Sequence, residues 1–157
     1  MGITGIRWGL GIFLLVALLT GCSSLSKSGD PQPAFSLEKT PCFGRCPVYK
    51  LTVYNNGTAT FKGVANIERR GTYTCLDCNS DQAEFILDEA KKMGFHKMED
   101  RYDPGVKDLP ETIITVYKGK KGKSVVNVMD APEELKRLEF LMDSIYNKVT
   151  WGLEPHI

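Results

Sequence analysis

The run Pro47-Val48-Tyr49-Lys50-Leu51-Thr52-Val53-Tyr54, the turn Asn55-Asn56-Gly57 and the run Thr58-Ala59-Thr60-Phe61-Lys62 commit this chain to an antiparallel sheet. β-Branched and aromatic residues on both sides of a short Gly-containing turn are the signal of a hairpin. The register follows from the two-residue period of strand side chains. A two-residue Asn56-Gly57 loop sets Val53 opposite Thr60, whereas a three-residue loop sets Val53 opposite Ala59 and Leu51 opposite Phe61. The second arrangement keeps the apolar side chains on one face and puts Gly57 where such a loop wants a left-handed residue.

Further elements follow along the chain. A third strand is expected across Asn66 to Leu76, with a bulge or bend at Gly71 and an exposed stretch at Arg69 and Arg70. Ala83, Ile86, Leu87, Ala90 and Met93 recur at helical spacing; Asn79 and Gln82 suit a capping box at the start, and Gly94 after Lys91-Lys92 suits the stop. Thr112 to Lys118 and Lys123 to Met129 form a second strand pair around Gly119-Lys120-Lys121-Gly122. In the last element Asp130 is the expected cap, Pro132 lies in the first turn and Glu133 closes the box. Leu135, Leu138, Leu141, Met142, Ile145 and Val149 form its apolar stripe. The expected fold class is α+β: an antiparallel sheet of about five strands with two helices on one face, in the order βββαββα.

The N-terminal segment has a separate role. Arg7 is the one charge ahead of an apolar run from Trp8 to Thr20, which ends at Leu19-Thr20-Gly21-Cys22 followed by Ser23-Ser24. A basic start, an apolar centre and small residues before a cut site describe a secretory signal. A spanning helix needs about 20 consecutive apolar residues, and this run is interrupted at Gly9 and Gly11. The N-myristoylation pattern fails because Ile6 stands where Ser or Thr is required. Leu19-Thr20-Gly21-Cys22 resembles a bacterial lipobox. The resemblance implies transfer of diacylglycerol to the Cys22 thiol, cleavage between Gly21 and Cys22, and acylation, commonly with palmitate, of the new amine. Ser23 after the lipidated cysteine resembles an outer-membrane address at the periplasmic face.

Residues 1–21 are thus read as a removed signal peptide, residues 22–35 as a lipidated tether rich in Ser, Lys, Gly and Pro, and residues 36–157 as one domain. A coil of this length reaches about 20 Å. Of 20 basic and 19 acidic side chains, only Arg7 falls in the leader, so the mature chain is charge-balanced. That composition lacks the basic footprint of nucleic-acid binding and the polybasic patch of anionic-lipid binding. The expected partners are the lipid bilayer, through the Cys22 acyl chains, and another envelope protein, with no nucleic acid; no cofactor is expected beyond the covalent lipid.

Four cysteines remain, as Cys42-Phe43-Gly44-Arg45-Cys46 and Cys75-Leu76-Asp77-Cys78. Both pairs could supply a tetrathiolate zinc site; Cys75 and Cys78, beside a helix start, could act in thiol–disulfide exchange; structural disulfides suit a small exported domain; free thiols are the remaining state. If the first three strands form a meander, the pairs lie at opposite ends of the sheet, about seven residues at roughly 3.3 Å each apart. Bridging requires Cα atoms within about 7 Å, which favours Cys42 with Cys46 and Cys75 with Cys78. For exchange chemistry the expected cap, Asn79, follows both cysteines, and no βαβ pattern precedes them.

The opening Cys42-Phe43-Gly44-Arg45-Cys46-Pro47-Val48-Tyr49, followed by a strand and an Asn-Gly turn, resembles an uncharacterised bacterial family, domain of unknown function 6438, over about Thr40 to Trp151. Asp108-Leu109-Pro110 and a terminal helix ending near Trp151 are in keeping. The resemblance implies an envelope-associated α+β domain without an assigned activity.

Other polar residues form no recognisable catalytic set. His96 and His156 lie far apart in sequence without partners at ligand spacing, and Glu84, Glu89, Glu99, Asp100 and Asp103 read as solvated charges. The 102–110 loop is long enough to bind a ligand, yet its turn chemistry already accounts for its composition. The expectation is a non-enzymatic binding or structural module, with thiol–disulfide accessory chemistry at Cys75 and Cys78 as the alternative.

Overall fold

A computed structural model describes residues 30–154. The expected leader, the cleavage pair Gly21 and Cys22, most of the tether and His156 lie outside the described residues. The elements are β1 (Pro33–Lys39), β2 (Val48–Tyr54), β3 (Ala59–Ala65), β4 (Gly71–Cys75), α1 (Ser80–Lys92), β5 (Arg101–Tyr102), β6 (Thr112–Lys118), β7 (Lys121–Asn127), α2 (Glu133–Lys148) and β8 (Trp151–Leu153). The fold is α+β, and among the described residues the strands form one eight-stranded sheet ordered β5-β7-β6-β1-β2-β3-β4-β8. All pairings are antiparallel except that of β5 with β7.

The hairpin register is the apolar one: Leu51 faces Phe61 and Val53 faces Ala59. Gly57 has φ +84°, and a Cβ there would also lie 2.4 Å from the Ser80 nitrogen, so the turn is seated against the start of α1. One face carries Phe35, Leu37, Leu51, Phe61, Ile114 and Val125, all fully buried, each worth about 1.5–3 kcal/mol of burial. Tyr146 of α2 lies against Tyr49 and Phe61 on this face. Next to α2, α1 adds Ala83, Ile86 and Ala90 to the same core. The opposite face is polar, with Lys50 and Lys62 exposed and Thr52, Thr60 and Thr74 half-buried.

Three expectations are corrected. The sheet has eight strands rather than about five, because β1 occupies residues assigned in part to the tether, and two short margins, β5 and β8, add to it. β1 carries Ser36 between Phe35 and Leu37 and Glu38 and Lys39 after them, yet it is central: β2 and β6 pair with its two edges, so pairing partners compensate for its weak local signal. The expected third strand is shorter, starting at Gly71, with Arg69 and Arg70 in the preceding turn. The last helix is capped at Pro132, not Asp130, which has φ +63° in the turn before it. The Leu135 and Lys136 N–H groups donate to the Pro132 carbonyl, and Glu133 and Glu134 face the positive end of the helix dipole. At α1 the Asn79 side chain accepts from the Gln82 N–H, and Gly94, with φ +69°, follows the helix end.

Candidate functional site

β1 begins at Pro33, paired with Tyr54 beside the 55–58 turn, and ends at Lys39, paired with Tyr49 and Thr112. Connections 40–47, 66–70 and 103–111, together with the start of the β7–α2 connection, therefore gather at the Lys39 end of the sheet. Thr40 joins the first to the third, its N–H donating to the Glu111 carbonyl at 3.0 Å and its Oγ1 accepting from the Glu111 N–H at 2.9 Å. Asn66, at φ +53°, joins the second to the first through Nδ2, which donates to the Cys46 carbonyl at 3.0 Å. A disulfide links Cys42 to Cys46, with Cα atoms 5.8 Å apart. The small ring is turned by the Gly44 N–H donating to the Cys42 carbonyl at 2.8 Å. At its apex Phe43 is 95% exposed, with Arg45 exposed beside it.

At this end of the sheet a polar seam runs between sheet and α2. The Tyr49 hydroxyl donates to Asp143 Oδ1, and Lys39 Nζ donates to Asp143 Oδ2 at 2.9 Å while lying 5.5 Å from the Tyr49 ring centroid. Burial, and then the hydrogen bond to Asp143, hold the Tyr49 phenol well above its usual range, so Tyr49 is a donor and not a base. One helical turn away, Glu139 accepts from Asn127 Nδ2 at 2.8 Å. Burial raises the Glu139 carboxyl, and the bond from Asn127 only partly offsets this. Asn127 Oδ1 is buried without a hydrogen-bond partner among the described residues. Arg69 covers the Tyr146 ring at 5.0 Å, held there because its backbone crosses Gly63, where a Cβ would lie 1.8 Å from the Arg69 carbonyl oxygen.

A charged cleft of about 400 Å³ flanks the loop on the β5 side. Its arginine, Arg101, bonds Glu111 at 2.6 Å and Asp103 at 2.8 Å. The Gly105 N–H and then Arg101 lower the Asp103 carboxyl. Arg101 is neutralised by two carboxylates from its own loop, which makes the cluster a brace for residues 101–111.

The second cysteine pair is joined at the other end of the sheet, with Cys75 and Cys78 Cα atoms 5.7 Å apart. Asp77 in this loop accepts from the Thr150 N–H and Oγ1, both at 2.8 Å, and the Leu76 N–H donates to the Thr150 carbonyl at 2.9 Å. The two bonds from Thr150, led by that of its backbone N–H, lower the Asp77 carboxyl. They dock the chain after α2, so that Trp151 pairs with Cys75 and its ring lies 5.6 Å from Phe61. The four cysteines are thus brought together in two separate pairs and not around one tetrahedral centre.

Of the other candidates, His96 is exposed in the short turn after α1 and lies edge-on to Phe95. Glu89 is buried rather than solvated, bonded to Lys92 at 2.8 Å and Arg137 at 3.1 Å. The bond from Lys92 is the main cause of its lowered carboxyl. Sequence reasoning missed the Lys39–Tyr49–Asp143 tie, whose members lie far apart in the chain; the one local signal was Tyr49 on the apolar phase of its strand. No curated protein and no solved structure matches the chain. A family model does, over residues 33–146, from β1 into α2 and including the Cys42–Cys46 loop, Tyr49 and Asp143. The chain therefore belongs to the family described as Domain of unknown function (DUF6438).

Proposed function

We propose that this chain is a lipoprotein of the bacterial envelope, held through acyl chains on Cys22 to the periplasmic face of the outer membrane, whose α+β domain is a non-enzymatic binding module. The observation that carries this reading is the pair of short-range disulfides, Cys42–Cys46 and Cys75–Cys78. Such bonds persist in oxidising compartments, and they agree with a leader that ends at Leu19-Thr20-Gly21-Cys22. The module's contact element is the Cys42–Cys46 ring. It fixes an exposed Phe43 on a loop whose ends are tied to two neighbouring connections, and a preorganised aromatic side chain is the favoured anchor of a binding surface.

Cys22→Ala in an exported chain tests the anchor. The folded protein is expected in the soluble periplasmic fraction; retention with membranes means that another surface of the domain binds there, and mass spectrometry of the parent's Cys22 then decides whether the lipid is present. The second reading, thiol–disulfide accessory chemistry, rests on the place of Cys75 and Cys78 beside the start of α1, although the cap, Asn79, follows both. Replacing Cys75 and Cys78 by Ser separates the two. Loss of a disulfide-dependent envelope phenotype with folding intact supports exchange, and loss of stability alone supports a structural bond.

A further inference from the structure

The charge balance of the mature chain hides an uneven distribution. At the Lys39 end, the 40–48 and 64–71 segments carry Arg45, Arg69 and Arg70 against a single acid, Glu68. Phe43 protrudes there at 95% exposure and Val64 is 55% exposed. Arg45 and Arg70 are exposed, and neither has an ion-pair partner among the described residues. On the other flank the Asp103 and Glu111 carboxylates are both engaged by Arg101. An exposed Phe43 with Arg45 two residues on, and Arg70 on the segment tied to this loop through Asn66, is complementary to a bilayer carrying anionic headgroups, into which aromatic side chains insert while basic ones meet phosphate.

We propose that the Phe43 tip, flanked by Arg45 and Arg70, is a second membrane contact that dips into the bilayer to which Cys22 is anchored. This rests on the lipoprotein reading. Chain length permits it: β1 separates its start from the tip by about 20 Å, and the residues between Cys22 and Pro33 span about 35 Å when extended. The tether is therefore long enough for the tip to reach the bilayer while Cys22 stays anchored in it. The tether makes the contact intramolecular, with an effective concentration in the millimolar range, so a weak insertion is sufficient. The same weakness explains how Cys22→Ala can release the protein.

The test uses the mature lipoprotein in vesicles of phosphatidylethanolamine and phosphatidylglycerol containing a bromine-labelled phosphatidylcholine, which quenches indole on contact. Phe43→Trp is compared with Phe140→Trp, a 73% exposed site on α2, each read as the difference from the parent protein, which holds Trp151. Quenching at position 43 and not at 140 supports the proposal. Arg45→Gln and Arg70→Gln should then weaken insertion about fivefold for each charge removed, and neutral vesicles should weaken it further. A chain that co-floats with vesicles yet shows no quenching at position 43 above that at 140 overturns the proposal and leaves the anchor intact. A chain that does not co-float, and whose Cys22 carries no lipid by mass spectrometry, overturns the anchor instead. In that case vesicles are titrated into the same Phe43→Trp chain: saturable quenching supports the tip, and its absence overturns it.

Discussion

The Tyr49 hydroxyl on β2 donates to the Asp143 carboxylate on α2, 94 residues later, and Lys39 holds the other oxygen of that carboxylate at 2.9 Å. The helix is thus fixed over the central strands by a phenol and an ammonium that share one acceptor. Tyr49→Phe removes a hydrogen bond to a charged group in a largely buried setting, which costs about 1.5–3 kcal/mol. Urea unfolding should show a lowered midpoint at an unchanged slope, and a midpoint equal to that of the parent would refute the tie.

The same phenol sets an alkaline limit. Its folded-state ionisation lies above the ordinary range of a tyrosine, so its contribution is fully present below about pH 10, the unfolded value. It is lost as pH rises beyond that point, where the unfolded chain ionises first. Between neutrality and strongly alkaline pH, the parent should lose stability more steeply than Tyr49→Phe. Parallel curves for the two proteins would count against this assignment.

Glu139 predicts the opposite sign. Burial raises its carboxyl in the fold, so the folded state binds a proton more readily and stability falls as pH rises from the unfolded value, about 4.3, through the raised one. Glu139→Gln should be stabilising at neutral pH, because the new amide keeps the Asn127 Nδ2 bond and offers a donor towards the orphaned Asn127 Oδ1. The gain should vanish below about pH 4, where the parent carboxyl is protonated as well. Thermal melts across this range are the measurement, and a destabilised variant at neutral pH would contradict the prediction.

Gly63→Ala should be among the more damaging small substitutions in the sheet. The added methyl meets the Arg69 backbone, not a movable side chain, and overpacking of this kind costs about 1–3 kcal/mol. Because Arg69 must shift, its position over the Tyr146 ring should be lost, visible as altered ring resonances of Tyr146. Unchanged stability would mean the 66–70 turn relaxes freely.

Asp77→Asn should loosen β8 while leaving the core in place. Two Thr150 donors meet the Asp77 carboxylate and lower it in the fold, so that hold is present above the ordinary carboxylate value and lost as pH falls through the lowered one. Amide exchange of Trp151 to Leu153 should quicken in the variant, and in the parent on acidification, with β2 and β3 amides unaffected. Equal exchange throughout would place the attachment of β8 elsewhere.

What could be read from the chain itself was whatever short-range chemistry decides. The Leu51–Phe61 register followed from one glycine and a period of two, and the α1 start from Asn79 and its N–H acceptor role. β1 was illegible because Pro33 and the polar residues around Phe35 and Leu37 resemble a linker until β2 and β6 supply hydrogen bonds on both sides. β5 and β8 are two and three residues long and exist only as additions to a sheet. Asp130 had the chemistry of a cap but not the backbone for it; its left-handed φ turns the chain before Pro132. The seam at Asp143 was hidden for a different reason: pairing across 94 and 104 residues depends on the topology.

The central position of β1 also decides how the domain bears load. A pull transmitted along the preceding chain arrives at Pro33, on a strand hydrogen-bonded along both edges and covered by two helices. Tension directed along that strand must shear two ladders together, since neither can be peeled open from a free margin. A domain pulled through its middle strand is mechanically guarded at the point where the force enters.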